Sequence, residues 1–284
     1  MRFSRIRQLI GDEALQRLRD ARVLVIGLGA VGSYTVEALA RSGIGHLTLV
    51  DFDLINETNI NRQLFALEST VGQFKHEIAA LRVRDINPDC EVVSKRLFVD
   101  ENNVDDLLES ARWDYVMDAI DAVGPKCKLL KRLVERQETF LSSMGAACRT
   151  DPTKIKIGPL AEIYNCPLAA AVRKRLKKEK ISVGFPCVYS TESVIIPKLP
   201  GAEELLPAIH PADIAPNLSD DQARQILPEL ESASAPIQAS DFCINGEYQR
   251  GRTRRPLGSL PTLTGIFGLT AANEIILRLT QLEF

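Results

Sequence analysis

A glycine-rich turn near the N-terminus constrains the fold of this chain more than any other feature. Gly27, Gly29 and Gly32 are spaced as in G-x-G-x-x-G, directly after the apolar segment 22–26 and before the helical pattern 31–42. In such a turn the first glycine permits a sharp bend, the second lets phosphate approach the backbone, and the third lets helix and strand pack closely. The turn therefore predicts a strand and a helix that together bind the phosphates of a nucleotide.

Short apolar segments alternate with helical patterns up to residue 147. This alternation predicts βαβ units and an α/β fold with a Rossmann-like, doubly wound, mostly parallel sheet. Residues 1–147 are predicted to form the nucleotide-binding part. The predicted strands are 22–26, 46–50, 90–98, 113–119 and 139–144, and the predicted helices are 5–20, 31–42, 74–87, 104–110 and 126–137.

The C-terminal part, residues 148–284, follows a less regular pattern. We expect it to continue the same domain as a C-terminal extension whose closing helix docks on the sheet; membrane contact by that helix is the alternative. The role of its segment rich in Pro, Ala, Ser, Asp and Glu is not indicated. The predicted features are strands at 153–157 and 186–196, a basic helix at 167–178, the Pro-rich segment 198–240 with a helical pattern at 220–230, and the closing helix 262–279.

Composition excludes several classes of protein. No segment approaches the ~18 uninterrupted apolar residues of a membrane span, and the N-terminus lacks the apolar core of a secretory signal. The net charge of −2 gives no overall sign of nucleic-acid binding. The six cysteines include no C-x-x-C pair, which argues against structural zinc. We therefore expect reduced cysteines and a cytoplasmic protein.

Polar residues follow the second predicted strand. Asp51 lies 19 residues after Gly32, where a carboxylate can accept ribose hydroxyls. Taken alone, the turn and Asp51 suit the dinucleotide of a nicotinamide or flavin enzyme as well as they suit another nucleotide. Asp53, Arg62 and Lys75 come next, and a dinucleotide site does not need them. Arg62 and Lys75 favour a nucleoside triphosphate, because breaking one requires cations directed at its phosphates. The alternative for each cation is an ordinary exposed position.

Two carboxylates, Asp118 and Asp121, lie at the end of the strand predicted at 113–119. Carboxylate oxygens at a strand end suit Mg²⁺, which also takes oxygens from substrate phosphates. We predict Asp121 as the metal ligand and a structural role for Asp118. One of the two could instead cap the following helix.

The ordered set of these motifs resembles the ubiquitin-activating-type adenylyltransferases over residues 20–147. The resemblance implies ATP and Mg²⁺ as cofactors, with Asp51 on the ribose, Arg62 and Lys75 on the phosphates, and Asp121 on the metal. It also implies a homodimer in which Arg5 reaches the partner's ATP. The family often has glycine where this chain has Ala30, and alanine is tolerated there if its φ is negative. The matching residues are Gly27, Gly29, Ala30, Gly32, Asp51, Asp53, Asn59, Arg62, Gln63, Gly72, Lys75, Asp118 and Asp121.

Four further segments resemble one branch of these enzymes, the tRNA threonylcarbamoyladenosine dehydratases. Members of that branch use ATP to cyclise the threonylcarbamoyl group on the adenosine beside the anticodon, through an acyl adenylate. The resemblance implies a tRNA carrying threonylcarbamoyladenosine as substrate, with a sulfur-relay protein as a candidate partner. The segments are 118–126, 151–157, 167–177 and 187–192.

A tRNA substrate requires a local basic surface, since the overall charge is balanced. The candidate contacts lie on the basic helix, for which a solvated helix face is the alternative. A second basic group lies at 250–255. The candidate helix residues are Arg173, Lys174, Arg175, Lys177 and Lys178.

Three other functions compete with the dehydratase. A sulfur-carrier adenylyltransferase, which activates a C-terminal Gly-Gly, would be expected to carry the zinc cysteines that are missing here. An NAD-dependent oxidoreductase would have no need of Arg62, Lys75 or Asp121. A non-catalytic nucleotide-binding scaffold is the third. Cys187 is the cysteine best suited to a covalent thioester, but we predict a packing role because an intramolecular cyclisation needs no such intermediate.

Overall fold

The computed structural model describes residues 2–194 and 257–282, and its strands form one seven-stranded sheet. The strands are β1 (Arg22–Ile26), β2 (His46–Val50), β3 (Glu91–Lys95), β4 (Tyr115–Asp118), β5 (Phe140–Ser143), β6 (Ile155–Pro159) and β7 (Pro186–Ser190). Their order across the sheet is β3-β2-β1-β4-β5-β7-β6. Every pairing is parallel except that of β6 with β7. The predicted doubly wound, mostly parallel α/β sheet is confirmed.

Helices cover both faces of this sheet. They are α1 (Ser4–Asp20), α2 (Gly32–Arg41), α3 (Lys75–Ile86), α4 (Val104–Glu109), α5 (Val123–Glu135), α6 (Pro167–Lys178) and α7 (Pro261–Thr280). Side chains of α1, α2, α3 and α7 share one hydrophobic core, and those of α4, α5 and α6 share the other. Successive β1 residues alternate between the two cores: Val23 and Val25 face the first, Leu24 and Ile26 the second. Burial on both faces explains why β1 is almost continuously apolar.

The closing helix, α7, packs against the sheet as expected, and it also packs against α2. Phe267, Ala271 and Ile275 are fully buried. A Cβ added at Gly268 would lie 2.4 Å from the carbonyl oxygen of Val31, so glycine permits this close approach. Among residues 2–194 and 257–282, no helix combines the length and apolar character needed to cross a membrane.

Some predicted details differ from the structure. Gly11 has φ +83° and interrupts the helical backbone within α1, a conformation that glycine adopts without steric cost. The predicted strands 90–98 and 186–196 are shorter, ending at Lys95 and Ser190. The segment 198–240 with its predicted helix at 220–230, and the arginines at 250–255, lie outside the described residues. Both β6 and β7 come from beyond residue 147 and join the same sheet, and the division at 147 stays a prediction.

Candidate active site

The candidate site lies where three neighbouring strands end. Ile26, the last residue of β1, pairs with Val50 of β2 on one side and with Asp118 of β4 on the other. The chain direction across the sheet reverses between β1 and β4, and ligands of such sheets bind in the crevice at this point. The residues that follow the three strand ends are Gly27, Asp51 and Ala119.

The glycine turn is packed too tightly for side chains at two positions. Gly27 has φ +90°, and a Cβ there would lie 2.8 Å from the carbonyl group of Ala119. A Cβ on Gly32 would lie 1.8 Å from the carbonyl oxygen of Gly27. Gly29 is different, since a Cβ there would meet a single atom, 3.8 Å away, so the space beside it is open to a ligand. Ala30 avoids positive φ, as alanine at this position requires.

The carboxylate of Asp51 connects the two loops that begin at β1 and β2. One oxygen accepts the backbone N–H of Leu28 at 2.7 Å, and the other accepts that of Asp53 at 2.8 Å. Burial raises the pKa of Asp51, although the charge of Lys75 lowers it in part. Asp51 therefore lies beside the glycine turn, with acceptor oxygens of the kind that suit ribose hydroxyls.

Lys75 is the first residue of α3 and lies next to Asp53. Its Nζ is 2.8 Å from Asp53 Oδ2, and its backbone N–H donates to the Asp53 carbonyl at 3.0 Å. The Lys75 side chain is only 7% exposed, whereas that of Asp53 is 45% exposed. A turn at Gly72, with φ +82°, precedes this contact. The ammonium group is thus held at the site by a carboxylate that solvent or a ligand can reach.

The loop after β2 carries the remaining amides and the predicted arginine. Arg62 is half-buried and donates from Nη1 to the Thr58 carbonyl at 2.8 Å. Asn59 Oδ1 accepts the backbone N–H of Asn56 at 3.1 Å, so this side chain shapes the loop. Gln63 is buried, and its Nε2 is the atom nearest to the open position beside Gly29.

Asp118 and Asp121 occupy different environments, although they are close in sequence. Asp118 Oδ2 lies 2.7 Å from Lys126 Nζ, and neither side chain is exposed. The same oxygen accepts the hydroxyl of Ser142 at 2.6 Å, and Asp118 Oδ1 accepts the N–H of Ile120 at 3.0 Å. Asp121 is exposed. The N-cap residue of α5 is Ala122, so neither carboxylate occupies that position.

These positions fit the predicted structural role of Asp118 and leave Asp121 as the candidate Mg²⁺ ligand. In the part of the chain that the structure describes, no three His, Cys, Asp or Glu side chains form a metal-binding group by themselves. Mg²⁺ is commonly held by one or two carboxylates together with substrate phosphates. An exposed carboxylate beside a phosphate site therefore fits this ion.

Lys126 is a site residue that sequence reasoning missed. Lysines are rarely buried, so one lysine in a helix that also contains Lys128, Lys131 and Arg132 does not stand out. The available signal was that Lys126 is the fourth residue of α5, the helix that follows Asp118. A long cation at that point can reach back to the end of the preceding strand.

Basic side chains on α5 and α6 differ in their partners. On α5 and at its C-cap, the surface cations are paired with carboxylates: Lys128 with Glu101, Lys131 with Glu179, Arg132 with Asp105 and Glu135, and Arg136 with Glu109 and Glu138. On α6, none of the exposed cations is in an ion pair with a described carboxylate. The exposed α6 cations are Lys174, Arg175, Lys177 and Lys178.

Arg173, the fifth predicted tRNA contact, is directed into the protein. Its Nη1 donates to the carbonyls of Leu160 at 3.0 Å and Ile163 at 2.8 Å, and its side chain is half-buried. It therefore attaches α6 to the neighbouring turn, and its contact with tRNA stays a prediction. Arg5 is exposed near the start of α1, and its predicted contact with a partner subunit likewise stays a prediction.

The cysteines in the described residues are all buried and free. Cys187 lies on β7 beside Ser142 of β5 and is fully buried. Burial raises the pKa of its thiol. Its position fits packing rather than nucleophilic chemistry.

Comparison with known proteins identifies the family. The ThiF family pattern matches residues 3–283. A tRNA threonylcarbamoyladenosine dehydratase of Bacillus subtilis is 44% identical over 194 residues, covering 68% of this chain and 76% of the relative. The chain belongs to the ThiF family, in the branch of the tRNA threonylcarbamoyladenosine dehydratases.

Solved structures of this branch have the same fold. The Escherichia coli tRNA threonylcarbamoyladenosine dehydratase in complex with AMP has a TM-score of 0.76 and 32% identity, covering 99% of this chain and 94% of that one. The same enzyme in complex with ATP has a TM-score of 0.75 and 31% identity over the same shares. The predicted family is confirmed, and dehydratase activity is favoured over activation of a sulfur carrier.

Proposed function

We propose that this dehydratase adenylates the threonine carboxylate of threonylcarbamoyladenosine in tRNA and then closes the ring with loss of AMP. The observation that carries the proposal is the grouping of the glycine turn, the buried Asp51 and the buried Lys75 at the carboxyl ends of β1 and β2. Similarity to a dehydratase that binds both ATP and AMP supports the same chemistry.

The cyclisation requires activation because a carboxylate is a poor electrophile. A carboxylate oxygen of the threonine attacks the α-phosphorus of ATP, and pyrophosphate leaves. A nucleophile within the threonylcarbamoyl group then attacks the acyl carbon, AMP leaves and a proton is released. The nucleoside loses one water in total, which ATP takes up as it becomes AMP and pyrophosphate. The second step is intramolecular, so positioning supplies much of its rate.

Each site residue then has a role that follows from its environment. Asp51 accepts the ribose hydroxyls, and the open backbone around Gly29 at the start of α2 binds phosphate. Lys75 and Arg62 stabilise the negative charge that develops on the phosphates. Asp121, together with phosphate oxygens, would hold Mg²⁺, which when bound stabilises the departing pyrophosphate.

The exposed cations of α6 form the proposed tRNA surface. They are Lys174, Arg175, Lys177 and Lys178, and within the described residues none of them is paired with a carboxylate, unlike the cations of α5. Unneutralised cations are free to replace the counterions of a phosphate backbone. Such contacts position the tRNA without reading its sequence.

A cytoplasmic homodimer completes the proposal, with Arg5 of each chain directed at the partner's nucleotide. Large apolar side chains exposed in the segment after β2 support an interface near the site; they are Leu54, Ile60, Leu67 and Val71. A sulfur-relay protein is a candidate further partner.

The test is mass spectrometry of nucleosides from tRNA incubated with the protein, ATP and Mg²⁺. We expect threonylcarbamoyladenosine to lose the mass of one water, with AMP and pyrophosphate formed in equal amounts. Unchanged nucleosides, with adenylation of a Gly-Gly sulfur carrier instead, would overturn the proposal. The matched control is tRNA that lacks the threonylcarbamoyl group, which should release no pyrophosphate.

A further inference from the structure

Lys126 is buried deeply for a lysine, and its contacts all lie in one region. Its Nζ is 2.7 Å from Asp118 Oδ2 and 2.7 Å from the carbonyl oxygen of Ile120. The Ile120 N–H in turn donates to Asp118 Oδ1 at 3.0 Å. The ammonium group and the carboxylate thus close a ring of hydrogen bonds around the end of β4.

The backbone inside this ring belongs to the turn 119–122, which joins β4 to α5. On one side the turn packs against the phosphate-binding loop, since the carbonyl of Ala119 occupies the space where Gly27 would carry a Cβ. On the other side it carries Asp121, the candidate metal ligand. A displacement of this turn would therefore move the metal ligand and the phosphate-binding loop together.

We infer that Lys126 is a positioning residue that fixes Asp121 and the glycine turn relative to each other. Lys126 touches neither nucleotide nor metal in this arrangement, because its side chain is fully buried. It acts through the turn 119–122, with Asp118 and Ser142 completing its surroundings. The inference rests on the proposed function, since it assigns Mg²⁺ to Asp121.

The test compares three variants with the parent protein. Lys126→Met removes the charge; Lys126→Arg keeps it; and Asp118→Asn combined with Lys126→Met leaves no buried charge. Lys128→Met is the matched control, because Lys128 lies on the same helix in an exposed pair with Glu101. Three quantities are measured: the stability to urea, the affinity for ATP with and without Mg²⁺, and amide hydrogen exchange of the peptide 115–126.

We expect Lys126→Met and the neutral double variant to weaken ATP binding in the presence of Mg²⁺ by about tenfold and to speed exchange in the turn. ATP binding without Mg²⁺ should change less. The double variant should regain stability without regaining Mg²⁺-dependent affinity, because no charge is left buried without a partner. Lys126→Arg should recover part of that affinity, and Lys128→Met should resemble the parent.

A purely structural role predicts a different result. Stability and Mg²⁺-dependent affinity would then return together in the double variant, or exchange in the turn would match that of the parent. Either result overturns the inference. If the parent itself shows no effect of Mg²⁺ on ATP binding, the proposed use of Mg²⁺ fails instead.

Discussion

Two aspartate–lysine pairs lie at the ends of β2 and β4, the two strands that flank β1, and they differ in burial rather than in distance. After β2, Lys75 Nζ lies 2.8 Å from Asp53 Oδ2; at the end of β4, Lys126 Nζ lies 2.7 Å from Asp118 Oδ2. The first aspartate is 45% exposed, while neither side chain of the second pair is exposed. Solvent can therefore screen the first pair, but it cannot reach the second.

This difference separates the two lysines by function. In the proposed function, a phosphate would approach Lys75 beside Asp53, whose carboxylate is partly exposed. Lys126 cannot leave Asp118, because a buried charge without a partner is strongly destabilising. Lys75 is thus proposed to contact the ligand, whereas Lys126 can contact only the surrounding protein.

The largest expected effect comes from the same substitution made in each pair. Lys126→Met should lower the free energy of unfolding by about 3–5 kcal/mol, since it leaves Asp118 buried without its cation. Lys75→Met should cost at most about 1 kcal/mol, because solvent screens its half-exposed partner. Urea unfolding at one protein concentration measures both. Equal losses would contradict the comparison.

The second prediction reverses that ranking for catalysis. Lys75→Met should lower the rate of adenylation by about 10²-fold or more, as loss of a transition-state contact does. Asp121→Asn should act similarly if it holds the metal. Release of pyrophosphate in the presence of modified tRNA measures the rate. Lys156→Met, on the exposed edge strand β6, is the control. Near-normal turnover in either site variant would remove its assignment.

The sequence predicted the fold well where the hydrophobic pattern decides it. β1 and β2 are short apolar runs because parallel strands are buried on both faces. The antiparallel direction of β6 could not be predicted, because strand direction depends on the path of the whole chain. Nor could the interruption at Gly11, because a glycine within a helical pattern is usually tolerated.

Sequence motifs predicted that Asp51, Lys75 and the glycine turn belong to one site, and in the structure all three lie beyond the carboxyl ends of β1 and β2. It could not predict that Arg173 bonds to two carbonyls, because helix periodicity does not reveal which cations meet a neighbouring turn. It also could not pair Lys126 with Asp118, because burial of a lysine is decided by tertiary packing. Both cases concern long cations, which can reach either solvent or backbone.

The paired cations of α5 and the α6 cations, which have no carboxylate partner among the described residues, give a third, smaller contrast. Replacing Lys174, Lys177 and Lys178 of α6 by alanine should reduce the slope of log Kobs for tRNA against log salt by about 0.7 for each phosphate that the helix no longer neutralises. Replacing Lys128, Lys131 and Arg132 of α5, which are already paired, should leave the slope unchanged. Fluorescence titrations at several salt concentrations measure it. Equal slopes for the two triple variants would argue against α6 as the tRNA surface.

The smallest effect is expected at Cys187, which lies beside the buried pair. It is adjacent to Ser142, whose hydroxyl bonds to Asp118, and it is fully buried. A thioester would need a thiolate in contact with substrate, but burial raises the pKa of this thiol and keeps substrate away. Cys187→Ala should therefore retain most of the cyclisation rate and lower the free energy of unfolding by about 1 kcal/mol.

Two measurements check this expectation for Cys187. Iodoacetamide should leave the parent thiol unlabelled under native conditions, and nucleoside mass spectrometry should show ring closure by Cys187→Ala at close to the parent rate. A loss of several hundredfold with unchanged ATP affinity, or a protein–tRNA adduct trapped on Cys187, would show that the thiol becomes accessible during turnover. The strand β7 would then have to open beside Asp118 and Lys126. That pair would not stay buried during turnover, and its contrast with the Asp53–Lys75 pair would be lost.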